Sequence, residues 1–212
     1  MTETQVLDEL EIRQVAVGPM DNNAYLLTCR ADGSQLLVDA ADDPDRLLAL
    51  VQEGTGRLDA VVTTHRHPDH LRALASVVAV TGATAAAGAD DAEAITEATD
   101  IRIRRRLHDG DRLALGELVL DVIGLRGHTP GSVALAYTEP GGRVHLFTGD
   151  SLFPGGVGAT QSPEAFTRLF DDVSARLFDR FGDDTRVYPG HGRGTTLGAE
   201  RPHLAEWRAR GW

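Results

Sequence analysis

A mainly apolar run, Leu58–Thr63, leads directly into Thr64-His65-Arg66-His67-Pro68-Asp69-His70. Four of the six residues from His65 to His70 carry side chains that bind metals. No other feature constrains the fold as tightly, because a strand must deliver this loop to a place where further ligands can converge on it. In open α/β sheets, binding and catalytic groups collect in the loops that leave the carboxyl ends of strands. With only 8 histidines in 212 residues, the His-x-His-x-Asp-His spacing is a specific signal rather than a compositional one. The competing reading is three solvated histidines on a surface loop, and it predicts no matching ligands elsewhere in the chain.

Matching ligands do occur, in three separate glycine-containing turns that each follow a predicted strand. They are His128 in Gly127-His128-Thr129-Pro130-Gly131, Asp150 in Thr148-Gly149-Asp150-Ser151 and His191 in Pro189-Gly190-His191-Gly192. Small residues beside each ligand let the backbone pass close to an ion. Each turn alone has an ordinary explanation, since a histidine in a glycine turn is common and Asp150 could form an Asx turn. Together with the loop they make seven donors, which suits two metals sharing an oxygen bridge better than one structural ion. His108, His145 and His203 lack such contexts and are assigned no metal role. Ser132 and Ser151 lack the Gly-x-Ser-x-Gly elbow of a serine nucleophile.

Around these turns the pattern alternates strands and helices. Strands are expected at 11–17, 24–29 and 35–39, followed by a helix at 44–52 with Asp43 as N-cap and Pro44 in its first turn. After the histidine loop come helices at 70–80 and 90–99, with a short strand at 84–87 between them. Strands follow at 112–115, 118–125, 133–138 and 144–148, then a long helix at 163–181 and a last strand at 185–188. The stripe Phe166, Leu169, Phe170, Val173, Leu177 and Phe181 reads as core. Two successive sets of strands, each followed by helices, predict an α/β fold of two face-to-face sheets with helices outside. This αββα four-layer sandwich would form one domain over residues 1–212.

Composition narrows the partners. A net charge of −11 weighs against nucleic acid, which is bound through clustered positive charge. The one basic run, Arg102, Arg104, Arg105 and Arg106, reads as a solvated strand edge. The single cysteine, Cys29, rules out an internal disulfide framework and fits a reducing compartment. The first eleven residues lack the basic and apolar regions of a secretory signal, and no stretch approaches a membrane span. The expectation is a cytoplasmic protein with a small-molecule substrate and neither membrane nor nucleic-acid partner.

The four motifs, in this order and spacing, resemble the metallo-β-lactamase-fold hydrolase superfamily, closest to the small single-domain type of its glyoxalase II-like branch. The resemblance implies an αββα sandwich with a binuclear site in the groove between its halves. His65, His67 and His128 would hold one divalent metal, Asp69, His70 and His191 the other, and Asp150 would bridge both. Asp39 matches a position where the family carries an acidic residue near the site, as a partner that orients a ligand histidine. Zinc suits this donor set, and so do iron and manganese.

The chemistry implied is attack by a metal-bridging hydroxide on a carbonyl, most naturally that of a thioester, with Asp69 able to steer the nucleophile. The resemblance stops short of the helical carboxy-terminal domain with which glutathione-specific members bind their thiol cofactor. It therefore implies a thiol conjugate without naming the thiol. Arg193, beside the last ligand, is the residue expected to contact an anionic substrate. The same motifs also fit a mononuclear iron persulfide dioxygenase using His65, His128 and Asp150, a lactone or β-lactam hydrolase, or a metal-stabilised binding module. A structural zinc site, however, needs only four protein ligands.

Overall fold

In a computed structural model, which describes residues 2–211, the first half of the chain forms a seven-stranded sheet whose strands lie in sequence order. Strands β1 (Glu3–Val6), β2 (Leu10–Val17), β3 (Asn22–Cys29) and β4 (Gln35–Val38) are antiparallel neighbours. Short turns join them, and short turns permit only that arrangement. Helix α1 (Pro44–Glu53) then returns the chain so that β5 (Leu58–Thr63) runs parallel to β4. Helices α2 (Leu74–Thr81) and α3 (Ala92–Thr99) do the same for β6 (Thr84–Gly88) and β7 (Arg105–Leu107).

The second sheet begins with the antiparallel strands β8 (Arg112–Leu115), β9 (Leu118–Gly124), β10 (Val133–Thr138) and β11 (Val144–Gly149). A small hairpin of β12 (Leu152–Phe153) and β13 (Gly156–Val157) precedes helix α4 (Pro163–Val173). Strand β14 (Arg186–Pro189) is parallel to β11, and β15 (Thr195–Thr196) finishes the edge. Helices α5 (Leu197–Glu200) and α6 (Leu204–Arg210) close the chain over this half.

Three apolar layers separate the sheets and helices. Successive residues of a strand point to opposite faces, and both faces are buried here. On the first sheet Leu26, Leu37 and Val61 meet Leu47, Leu50, Leu74 and Ile95 of α1 to α3. Their neighbours Leu27, Leu36 and Val62 meet Leu120, Leu135 and Phe147 between the two sheets. On the far side Ala134, Leu146 and Val187 meet Phe166, Leu169, Val173 and Trp207. Each large buried side chain contributes about 1.5–3 kcal/mol relative to exposure. The layers are therefore helix, sheet, sheet, helix, as the sequence pattern predicts.

Local differences from the predicted elements have identifiable causes. The helix expected from residue 70 begins at Leu74, after a 3-10 turn at Pro68–His70. The amides of Arg72 and Ala73 bond instead to the carbonyls of Ala41 and Ala40, at 3.0 and 3.1 Å. That anchors the histidine loop to the chain leaving β4. The helix expected at 163–181 is α-helical to Val173 and then widens into a π-helical stretch, Ser174–Phe178. The arginine run lies at the sheet edge as expected, with Arg104 to Arg106 exposed and Leu107 buried in β7. Strand β1 and the small pairs β12, β13 and β15 carry too little apolar pattern to be read beforehand. Near the end of the chain the sequence offers two tryptophans that could anchor the terminus: Trp207 is buried and meets Phe178 edge-on at 6.3 Å, while Trp212 lies outside the described residues. No helix among the described residues is long and apolar enough to cross a membrane.

Candidate metal centre

Strands β4, β5, β9, β11 and β14 all end on the same side of the sandwich, and the seven predicted donors leave from or just beyond them. The structure brings all seven together in three overlapping groups: His65 with His67 and His128, His65 with His70 and Asp150, and Asp69 with His70 and His191. Within each group the ligand atoms lie no more than 4.8 Å apart. Asp150 touches both ends of the cluster. Its Oδ2 is 3.7 Å from His128 Nε2 and 3.4 Å from His191 Nε2, and its Oδ1 is 3.4 Å from His70 Nε2.

Backbone partners fix which nitrogen of each ring faces inward. His128 Nδ1 bonds to the Ala159 carbonyl at 2.7 Å and His191 Nδ1 to the Met20 carbonyl at 3.0 Å. A carbonyl can only accept, so both rings carry their proton on Nδ1 and turn the Nε2 lone pair inward. His70 Nδ1 pairs with Asp39 Oδ2 at 2.9 Å, and His65 Nδ1 with Thr64 Oγ1 at 3.0 Å. His67 faces the cluster with Nδ1, 3.0 Å from His65 Nε2.

These distances test whether metal ions fit. A tetrahedral ion with nitrogen ligands at 2.0–2.1 Å spaces neighbouring donors roughly 3.3 Å apart. His65 Nε2 and His128 Nε2 are 3.3 Å apart, and His70 Nε2 and His191 Nε2 are also 3.3 Å apart. Inward lone pairs at such spacing repel one another unless a cation lies between them. Asp150 Oδ1 is buried and accepts no conventional hydrogen bond. The donor set fits one ion at His65, His67 and His128, a second at Asp69, His70 and His191, and Asp150 shared.

Electrostatics agree with a site built for cations. Burial opposes charge on His70, yet Asp39 and Asp150 outweigh it and push the imidazole up to about 10. The field that favours a proton there also favours a metal cation. His65 moves the other way, held well below its usual value by burial and by the neighbouring imidazoles. Burial also opposes ionisation of Asp150, but the imidazoles of His191, His70 and His65 packed around it keep its carboxyl far below the carboxylate range.

The supporting contacts explain how a loop and three turns hold this arrangement. Asp39 takes a left-handed conformation, φ 60°, just past β4. That conformation is tolerated better by aspartate than by most residues and is often found at functional sites. It turns the carboxylate toward the Thr64 amide at 2.7 Å, the Thr64 hydroxyl at 2.8 Å and His70. Gly190 is required by close approach, because a Cβ there would lie 2.1 Å from Asp150 Oδ1 and 2.8 Å from His70 Cε1.

Two residues of the site have no prior signal. Asn22 reads as part of a turn, yet it is fully buried and its Nδ2 donates to Asp69 Oδ2 at 2.8 Å. Asp91 reads as part of a polar helix, yet its buried carboxylate accepts from the Arg66 amide at 3.1 Å, the Gly131 amide at 3.0 Å and the Thr129 hydroxyl at 2.5 Å. It ties the His65 loop to the His128 turn. Arg193 is exposed and is not among the residues lining the groove beside His67 and His128, where Arg66 and Arg168 are found instead.

Residues 17–191, from the end of β2 to the last donor, match the sequence profile of the Metallo-beta-lactamase superfamily. The chain belongs to that superfamily. Within it, the chain is 36% identical over 158 residues to a protein of Fuscovulum blasticum named hydroxyacylglutathione hydrolase, covering 74% of this chain and 55% of that protein. The chain spans between 55% and 67% of the length of the first curated relatives it matches, all of that name. Among solved structures it resembles TTHA1623 in a di-iron-bound form, with TM-score 0.70 and 36% identity over 89% of this chain and 96% of that one. It also resembles ETHE1 from Myxococcus xanthus, with TM-score 0.77 and 28% identity over 93% and 84% of the two chains. Metallo-beta-lactamase superfamily members thus share with this chain both its sheet architecture and the stretch that carries all seven donors.

Proposed function

We propose that this chain is a metal-dependent hydrolase that holds two divalent ions and cleaves a thioester of a small thiol conjugate. The observation that carries the reading is Asp150, whose carboxylate reaches donors of both groups at 3.4–3.7 Å. His65, His67 and His128 would hold one ion, Asp69, His70 and His191 the other, with Asp150 between them. When bound, such ions supply a water of lowered pKa and polarise a carbonyl oxygen. The relatives named hydroxyacylglutathione hydrolase support the thioester, and the di-iron form of TTHA1623 supports a two-metal site.

The chain's own residues do the positioning. Asp39, the Ala159 carbonyl and the Met20 carbonyl hold His70, His128 and His191 with their inner nitrogens free. Asn22 steadies one oxygen of Asp69, so that this carboxylate can orient the attacking water and hold its proton. A thiolate leaves without a strong general acid, which fits a site whose imidazoles are committed as donors.

The test is to load the purified protein with zinc, manganese or iron, count metal per chain and assay acyl thioesters. Two ions per chain and metal-dependent thiol release are expected. A second reading, one iron held by His65, His128 and Asp150 in an oxygenase, is favoured by the likeness to ETHE1 from Myxococcus xanthus. One iron per chain, with oxygen uptake on a persulfide and no thioester cleavage, would establish that reading instead.

A further inference from the structure

A groove of about 510 Å³ opens beside the His67 and His128 end of the donor cluster. Its far wall is one stripe of helix α4, where Glu164, Ala165 and Arg168 recur at three- and four-residue spacing and so share a face. Its near wall is Arg66, between two of the donor histidines. The two walls are fixed relative to the donors. Gly127 has φ +139°, and a Cβ there would lie 2.4 Å from the Ala165 carbonyl and 2.6 Å from Leu169 Cβ, so the His128 turn packs directly on α4. Arg126 fastens the same turn to Asp172 of α4 through Nε at 2.9 Å and Nη2 at 3.0 Å.

The guanidiniums of this groove are only partly neutralised within the protein. Among the described residues Arg168 is exposed, and its side chain has no hydrogen bond or ion pair. Arg66 is 42% exposed, and its nearest carboxylate, Asp91, lies 3.8 Å away and already accepts three shorter hydrogen bonds. The one acid in the wall, Glu164, is turned back to its own backbone amide and the Ser162 hydroxyl, which lower its pKa. On a chain of net charge −11, two guanidiniums facing one groove next to the metal donors mark a place where an anion is favoured. Guanidinium forks bind carboxylates through two parallel hydrogen bonds, as they do phosphates.

We propose that Arg66 and Arg168 form a carboxylate subsite, so that the substrate reaching the donor cluster carries a carboxylate on the arm that extends toward α4. The inference rests on the thioester-hydrolase reading for the bond that reacts. The carboxylate can belong to the acyl half or to the thiol half, and the chemistry of recognition is the same for both.

The experiment compares thioesters that differ in one group, using metal-loaded protein. Butyryl thioesters of 3-mercaptopropionate and 3-mercaptopropionamide place the charge on the thiol half. Succinyl and succinamoyl thioesters of a neutral thiol place it on the acyl half. In one of these pairs the carboxylate is expected to be preferred roughly tenfold in kcat/KM, mainly through KM, as for one charge-assisted hydrogen-bonded contact. The preference should shrink in R168Q and in R66Q, shrink with added salt, and persist in R102Q, which alters an exposed arginine outside the groove. Calorimetric titration with the unreactive thioethers 3-(butylthio)propionate and 4-(propylthio)butyrate, each compared with its carboxamide, reads the subsite without any reaction. Hydrolysis with no carboxylate preference in either pair overturns the subsite and leaves the hydrolase reading standing. Carboxylate binding that is lost in R168Q, without hydrolysis of any thioester, overturns the hydrolase reading and leaves the subsite standing. No carboxylate preference in binding or in turnover overturns the proposal outright.

Discussion

The two halves of the sandwich supply donors in different ways. The first half offers four from one six-residue loop, His65 to His70, while the second offers three from separate turns at His128, Asp150 and His191. A contiguous loop fixes its donors through local backbone geometry, here the 3-10 turn at Pro68–His70. Separate turns must each be aimed by contacts from elsewhere: Ala159 for His128, Met20 for His191, and the close pass of Gly190 for Asp150. The loop therefore concentrates the donor chemistry, and the turns determine whether it closes into one centre.

The largest expected effect follows from removing the donor that the second half places between the groups. D150N keeps shape but loses the charge shared by His70, His128 and His191. Metal per chain is expected to fall from two to one or fewer, and hydrolysis by on the order of 10³-fold, comparable to losing a preorganised electrostatic group. Atomic absorption and thiol-release kinetics read both; retention of two ions with full activity would show that the halves do not depend on Asp150. A smaller loss is expected on the loop side from D39N, which weakens the hold on His70 and Thr64. Outer partners of this kind typically change metal affinity by roughly 10–100-fold, which competition with a chelator measures directly.

The same contrast explains what the sequence makes legible. The order of the main strands and helices, the layering and the seven candidate donors that the fold brings together are legible, because strand alternation, helical stripes and metal-binding side chains in glycine turns are local patterns. Asn22 and Asp91 are not visible. Each acts across the fold, on Asp69 forty-seven positions away and on Thr129 thirty-eight positions away, and an asparagine in a turn or an aspartate before a helix looks like ordinary punctuation. The helix expected from residue 70 starts late for a related reason, since Ala40 and Ala41 take the amides that a local reading assigns to the helix. Arg193 stands next to a donor in the sequence, whereas Arg66 and Arg168 share a groove only once α4 has docked.

Asp91 is where the two halves are stitched near the site, so D91N is expected to act on stability and metal affinity together. The carboxylate accepts from Arg66, Thr129 and Gly131 at a fully buried position. An amide must turn donors of its own toward some of those groups. Leaving one or two buried polar groups unmatched costs about 2–4 kcal/mol, which a denaturant titration would register as a lower midpoint with little change in slope. The affinity of the His65, His67 and His128 group for metal should fall in parallel, because the loop and the turn lose their common anchor. A stability loss with unchanged metal affinity would confine Asp91 to holding the fold.

The smallest effect is expected at Asp172, which supports the second half's His128 turn from α4. Burial raises its pKa, but hydrogen bonds from Arg126 and the nearby Arg176 more than compensate and leave the carboxyl below its usual value. A group depressed in the folded state contributes stability above its unfolded pKa, about 3.9, and loses that contribution as pH falls through the folded value. D172N cannot make the ionic contact at any pH. The stability gap between the wild type and D172N should therefore be present at neutral pH, on the order of 1 kcal/mol once solvent screening of the half-exposed Arg126 is allowed for. It should narrow only below about pH 4. A gap that stayed constant down to the acid transition would mean that Asp172 acts through shape and neutral hydrogen bonds, and that the turn carrying His128 is held by the close packing of Gly127 on α4 rather than by charge.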